Sequence, residues 1–139
     1  MFNTKIQIRF SDCDMLSHVN NAVYLQYFET ARIHFFNQEL PNWDWTKQGI
    51  ILARNTIDYI KPVFLDDACE IEVYCTQIGN SSFTLAYNVK VCKNDKIILK
   101  STGESILVCF DFLENKTIPI PLMLLKVLKK AKVIVSKEI

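Results

Sequence analysis

Apolar positions recur along this chain with two different periods, and the change of period divides it. From Tyr24 the spacing is helical: Tyr24, Tyr27, Phe28, Ala31 and Phe35 fall on one face, and Leu25, Phe28 and Phe36 widen it. Val23 and Ile33 are apolar too, and only Gln26, Glu29, Thr30 and Arg32 break the run, so the pattern predicts a helix enclosed by other structure on most sides. Before it, Ile6, Ile8 and Phe10 alternate with Lys5, Gln7 and Arg9, which predicts a strand over 4–10 with one buried face. Residues 40–49 carry Pro41, Asn42, Asp44, Gly49 and two tryptophans, the composition of an ordered loop with room for one helical turn.

Beyond Gly49 the period is that of strands. Residues 50–61 are β-branched and apolar in mixed order, and Pro62 ends their regular pairing. Over 68–78, Cys69, Ile71, Val73 and Cys75 alternate with Glu70, Glu72, Tyr74 and Thr76, and Gly79 to Ser82 reverse the chain into a strand over 82–92. Asn94-Asp95 is a two-residue hairpin signal, because both types tolerate positive φ. The strand that follows, 96–112, is long, and Gly103 in its middle marks a bulge or a close approach of backbone or ligand. Near the C-terminus, Pro119 or Pro121 opens a short amphipathic helix with Leu124, Leu125 and Leu128 on its apolar side and Lys126, Lys129, Lys130 and Lys132 toward its end.

One long helix followed by four antiparallel strands predicts an α+β domain, a curved sheet wrapped around the helix, with all 139 residues in a single domain. Such a sheet keeps an exposed edge, which a second copy of the chain is expected to cover. A hydrophobic fraction of 50% suffices for a core, and a net charge of +1 excludes nucleic-acid wrapping and general binding to anionic surfaces. The first ten residues lack the apolar centre of a signal peptide and no run reaches the length of a membrane span, so a cytoplasmic protein is expected. Five cysteines without a CxxC pair read as reduced core residues, not a disulfide framework or a zinc knuckle.

Candidate chemistry gathers where the polar loop hands over to the helix. Asn20 and Asn21 are good N-cap residues, and the backbone N–H groups of a helix start suit an anion or a developing oxyanion. Asp12, Asp14 and His18 share that loop, so a base or nucleophile stands beside an oxyanion stabiliser, the constellation of acyl transfer or hydrolysis. The same residue types also serve loops and caps for conformational reasons alone. Asp12, Asp14 and His18 make a poor divalent-metal set, three ligands in one loop with no second cluster. Cys13 is a weak nucleophile candidate, because the acids on either side oppose its thiolate. Glu29 and Arg32, three apart on the helix, are expected to form an ion pair.

Asp12-Cys13-Asp14, His18-Val19-Asn20-Asn21, Tyr24 and the run YLQYFETAR through Arg32 together resemble the hotdog-fold thioesterases of the 4-hydroxybenzoyl-CoA thioesterase type. The likeness follows element order along the whole chain and is residue-specific in the first quarter. It implies a hotdog fold, a curved antiparallel sheet around one long central helix, and an acyl-CoA thioesterase that releases free acid and CoA. By the same resemblance, Asp14 is the nucleophile or the general base, and the backbone N–H of Asn21 polarises the thioester carbonyl. Asp12 receives no direct chemical role. His18 departs from the best-known branch and is similar to acyl-ACP thioesterases, where it either moves a proton or ties the turn to the helix cap. The resemblance implies no cofactor and a homodimer or dimer of dimers with sites at subunit interfaces. CoA phosphates would meet Arg54, Lys61, Lys90, Lys93, Lys96 or Lys100. An acyl-ACP thioesterase, a hotdog dehydratase and a non-catalytic acyl-thioester binder are the alternatives.

Overall fold

The computed structural model describes residues 1–133. In chain order it has β1 (Phe2–Ile6), a 3-10 turn (Phe10–Asp12), α1 (Val23–Glu39), β2 (Gln48–Tyr59), β3 (Ala68–Ile78), β4 (Ser82–Lys93), β5 (Lys96–Asp111), β6 (Lys116–Thr117) and α2 (Leu122–Lys130). The strands form one antiparallel sheet in the order β1-β3-β4-β5-β2, with the two-residue β6 beside β5. The helix α1 lies against that sheet in the hotdog arrangement that the resemblance implies.

The strand boundaries follow the alternation closely from β3 onward. β3 buries Cys69, Ile71, Val73 and Cys75, the set that its period picks out. Asn94 and Asp95 both adopt positive φ, 52° and 61°, and close the β4–β5 hairpin between the paired residues Lys93 and Lys96. The first strand departs from expectation: β1 ends at Ile6, and Phe10 is 84% exposed instead of buried. There the chain leaves the sheet for the 3-10 turn, where the Asp12 carboxylate accepts a hydrogen bond from the Arg9 N–H at 2.9 Å. Residues 40–47 form turns with no helix, held by the Trp43 indole N–H donating to the Gln48 carbonyl at 2.7 Å.

α1 turns Tyr24, Tyr27, Phe28, Ala31, Phe35 and Phe36 into the core, as the helical spacing requires. It is not covered on most sides, however: Leu25 and Ile33 are 37% and 46% exposed, because a single sheet with its loops reaches only one side of the helix. At the centre of the contact, the Phe28 ring stacks on Tyr87 with centroids 4.3 Å apart and planes 4° from parallel. Gly103 is the cross-strand partner of Tyr87, and a Cβ placed there would lie 2.5 Å from Phe28 Cε2 and 2.9 Å from the Thr56 carbonyl oxygen. Gly103 therefore marks a close approach and not a bulge. The register shifts fall elsewhere, at Leu52/Arg54, Cys75/Gln77 and Val89/Lys90. The shorter α2 buries Leu124 and Leu128, and the segment behind it pairs with β3 through Cys75, whose N–H donates to the Ala131 carbonyl at 3.0 Å.

Gly103→Ala should accordingly lower stability by about 1–3 kcal/mol, the scale of an overpacked core, through a shift in denaturation midpoint at unchanged slope. An unshifted midpoint would show that the helix can rise off the sheet at no cost.

Candidate functional site

Two aspartates two residues apart take up different tasks. Asp12 Oδ2 accepts from the Arg9 N–H at 2.9 Å and from the Tyr27 hydroxyl at 2.8 Å, while the Asp12 carbonyl accepts from the Asn20 N–H at 2.9 Å. Asp12 thus fastens the base of the loop to α1. Burial, followed by the adjacent Asp12 carboxylate, pushes the Tyr27 phenol far above its ordinary range, so Tyr27 stays a protonated donor.

Asp14 is exposed and is held by its own loop. Its N–H donates to the His18 carbonyl at 2.9 Å, and its Oδ1 accepts from the N–H groups of Leu16 at 2.9 Å and His18 at 3.3 Å. Ser17, whose N–H donates to the Asp14 carbonyl at 3.1 Å, has φ of 62°, and this left-handed step lets the chain turn back so tightly. Among the described residues no donor engages Oδ2, so one carboxylate oxygen is fixed and the other is open to a substrate or a water. Cys13 between the two acids has its thiol pushed up, by desolvation first and then by Asp12 and Asp14, which disfavours the thiolate.

His18 meets Asp14 only through its main chain. The chain at 18–19 is pinned as an extended segment, with Val19 N–H donating to the Val63 carbonyl at 2.8 Å, and bridge pairings of Cys13 with Val19 and His18 with Phe64. The imidazole stands edge-on to the Phe64 ring, centroids 4.9 Å apart at 84°. Among the described residues it makes no hydrogen bond to the Asp14 carboxylate. Asp12, Asp14 and His18 therefore point to three different partners, and no group of three His, Cys, Asp or Glu among the described residues is disposed to hold a metal ion.

At the helix start, neither Asn20 nor Asn21 is the N-cap: that position is Ala22, without a side-chain cap, and Asn20 closes the turn before it. Asn20 Oδ1 accepts from the Ala22 N–H at 3.0 Å and its carbonyl from the Val23 N–H at 2.9 Å, and Ala22 is already helical at φ −69°, ψ −26°. Asn21 contributes through its main chain: its carbonyl accepts from the Tyr59 hydroxyl at 2.6 Å, and its N–H has no partner among the described residues. Tyr59, at the end of β2, also meets Tyr24 edge-on at 5.1 Å, so β2 braces the helix N-terminus from outside. Tyr59 and Phe64 went unmarked in the sequence, and Tyr27 was read only as a core residue, because their partners at the loop lie 15 to 46 positions away.

Two further expectations need correcting. Glu29 and Arg32 form no ion pair: Glu29 is exposed, whereas Arg32 is only 8% exposed and turns inward with its Nη1 unpartnered. Among the basic residues considered for CoA, Lys90 is spent on Glu72 at 2.9 Å, and Lys100 is buried, donating to the Pro62 carbonyl at 2.9 Å. Arg54, Lys61, Lys93 and Lys96 remain exposed. No helix among the described residues is long and apolar enough to cross a membrane.

A family model described as the thioesterase-like superfamily matches residues 8–128. An uncharacterized protein of Bacillus subtilis, YsmA, is 36% identical over 87 residues, which are 62% of this chain and 58% of that protein. The acyl-CoA thioester hydrolase YbgC of Escherichia coli is 25% identical over 126 residues, covering 87% of this chain and 90% of its own. Among solved structures, a thioesterase of Thermus thermophilus complexed with coenzyme A and Zn is 29% identical and covers 93% of this chain and 92% of its own, with a TM-score of 0.78. With the sheet, the central helix and the acidic loop in the same chain order as the resemblance requires, and the family match spanning nearly all of them, the chain belongs to the thioesterase-like superfamily.

Proposed function

We propose that the protein is an acyl-CoA thioesterase in which Asp14 carries the chemical step. The observations that support this most directly are an open carboxylate oxygen on Asp14 and, seven residues on in the same loop, an unspent N–H on Asn21 just before α1. The N–H, aided by the positive end of the helix dipole, receives the thioester carbonyl and strengthens as negative charge grows on its oxygen. Asp14 then acts in one of two ways. As nucleophile, it bonds to the carbonyl carbon, the C–S bond breaks, CoA leaves as a thiolate that takes a proton from solvent, and water cleaves the acyl-aspartyl anhydride. As general base, it takes a proton from a water that attacks the same carbon directly, after which the C–S bond breaks and the CoA thiolate leaves with a proton. His18, with its ring against Phe64, shapes the loop and leaves proton transfer to Asp14. Hydrolysis of acyl-CoA by YbgC and the coenzyme A bound by the Thermus enzyme support the choice of carrier, and Arg54, Lys61, Lys93 and Lys96 are exposed for its phosphates.

Asp14 lies open to solvent, and we assign its missing wall to a second subunit docked along β2. That strand is a sheet edge of 12 residues, and Ile51, Leu52, Tyr59 and the following Ile60 are 41–52% exposed along it. An apolar edge of this length invites pairing with its own copy. The opposite edge, β1, has only five residues.

A thiol-release assay over a panel of acyl-CoA thioesters tests the activity. Turnover confined to carrier-protein thioesters would move the assignment to an acyl-ACP thioesterase. Asp14→Asn keeps Oδ1 as an acceptor for Leu16 and His18 but removes the charge, so turnover should fall by about 10² or more while the melting temperature holds. Asp12→Asn and Cys13→Ser should retain most activity. Near-full turnover of Asp14→Asn would sink the assignment.

Light scattering should give a dimer or a dimer of dimers, and Ile51→Lys should dissociate it and lower kcat/KM with it. A fully active monomer would remove the partner from the site.

A further inference from the structure

A β-bulge turns Lys100 into the protein. On β4, Lys90 pairs with Leu99 and Val89 with Ser101, so Lys100 has no partner there and the extra residue breaks the alternation of β5. Lys100 and Ser101 are in consequence both buried, at 8% and 0% exposure. A lysine is rarely buried without a carboxylate to pair with, because its ammonium must give up water, and neither ion pair among the described residues includes Lys100. A methionine would fill the same space without that desolvation, so the charge needs a reason in its surroundings.

Those surroundings are the stretch that joins β2 to β3. The Lys100 carbonyl accepts from the N–H groups of Ile60 and Lys61, both at 3.0 Å, and its ammonium donates to the Pro62 carbonyl at 2.9 Å, so one residue holds three in succession just where β2 ends. The same ammonium lies 5.5 Å from the centre of the Phe64 ring, within the range of a cation–π contact. Val63 between them is fully buried, and its carbonyl receives the Val19 N–H, while Phe64 carries the His18 ring and the bridge pairing to His18. His18 in turn holds Asp14: its carbonyl accepts the Asp14 N–H, and its own N–H donates to Asp14 Oδ1. From Lys100 to Asp14 the contacts therefore run through residues 62–64 and then through His18.

We propose that Lys100 is a positioning residue for the chemistry at Asp14. Its ammonium fixes residues 62–64 in place and direction, those residues seat His18 and Val19, and the acidic turn is thereby set at its working distance from the Asn21 N–H. An apolar side chain at 100 would fill the bulge but would leave the Pro62 carbonyl and the Phe64 ring free to shift. The hydrogen bonds inside the turn would survive such a shift, and its placement would not. The consequence for catalysis rests on the thioesterase reading, whereas the chain of contacts does not.

The test compares Lys100→Met, which keeps the buried stem and loses the charge, with Lys100→Arg, which keeps the charge and its donors, each in the full chain. The sequence has two histidines, so the ring signals of His18 and His34 can be followed by proton NMR at one fixed pH and assigned with His34→Gln. In wild type the Phe64 ring current should displace the His18 signals from their free-peptide position. Lys100→Met should return them toward it and leave unmoved those of His34, whose ring meets the Thr4 hydroxyl. With that variant, kcat on an acyl-CoA thioester should fall about tenfold or more, the scale of a slightly misplaced reacting group, with KM within about twofold and the melting temperature near that of wild type. Lys100→Arg should keep the His18 signals and kcat close to wild type. An unchanged His18 signal or an unchanged kcat in Lys100→Met would overturn the proposal. Equal losses in both variants would overturn it too, since the volume of lysine and not its charge would then be the requirement. So would a methionine variant that melts far lower and shifts His34 as well, the mark of a general packing role. A wild-type His18 signal at the free-peptide position overturns it with no variant at all. If no thioester is hydrolysed, the thioesterase reading fails by itself, and the His18 signals still decide whether Lys100 seats the turn.

Discussion

The packing of Phe28 into the space over Gly103 fixes the height of α1 above the sheet. Any side chain at 103 would push the helix outward, and with it the whole N-terminal apparatus. Asn21 is tied to β2 through Tyr59, and Asp12 to the helix through Tyr27, so the loop inherits its position from that one contact. A rigid helix seated on a rigid sheet gives a backbone N–H a definite address, which a donor on a free loop would not have.

Much of the architecture was legible because it depends on local chemistry. The alternation over 68–78 gives β3 to the residue, Asn94-Asp95 gives the hairpin, and the glycine in the long strand announces the helix contact. What escaped was set by partners remote in sequence. Phe10 fits the alternation of β1, yet the carboxylate of Asp12 draws the chain into a turn and leaves the ring in solvent. Glu29 and Arg32 have the spacing of a surface pair, but spacing does not reveal that one of them faces the core. His18 sits in an acid-rich loop, while its ring packs on Phe64, which follows β2 in the chain.

The two aspartates illustrate how neighbouring identical groups acquire different duties. Asp12 has its outer oxygen taken by a backbone N–H and a phenol, which makes it a structural acceptor. Asp14 likewise has one oxygen taken, but by the N–H groups of its own loop, and it lies exposed where Asp12 is half-buried. The difference is one of partner and exposure, and a motif of the form Asp-Cys-Asp carries no record of it.

The hydrogen bonds that set Asp14 come entirely from residues 14–18, closed on themselves by the left-handed Ser17. The carboxylate proposed to react is therefore set by a turn closed on itself, and α1 fixes where that turn sits but not its internal geometry. Substitutions in the walls between α1 and the β2–β5 side of the sheet that leave the helix in place thus leave the hydrogen bonds of Asp14 unchanged, so a laboratory library can be confined to those walls without altering the turn.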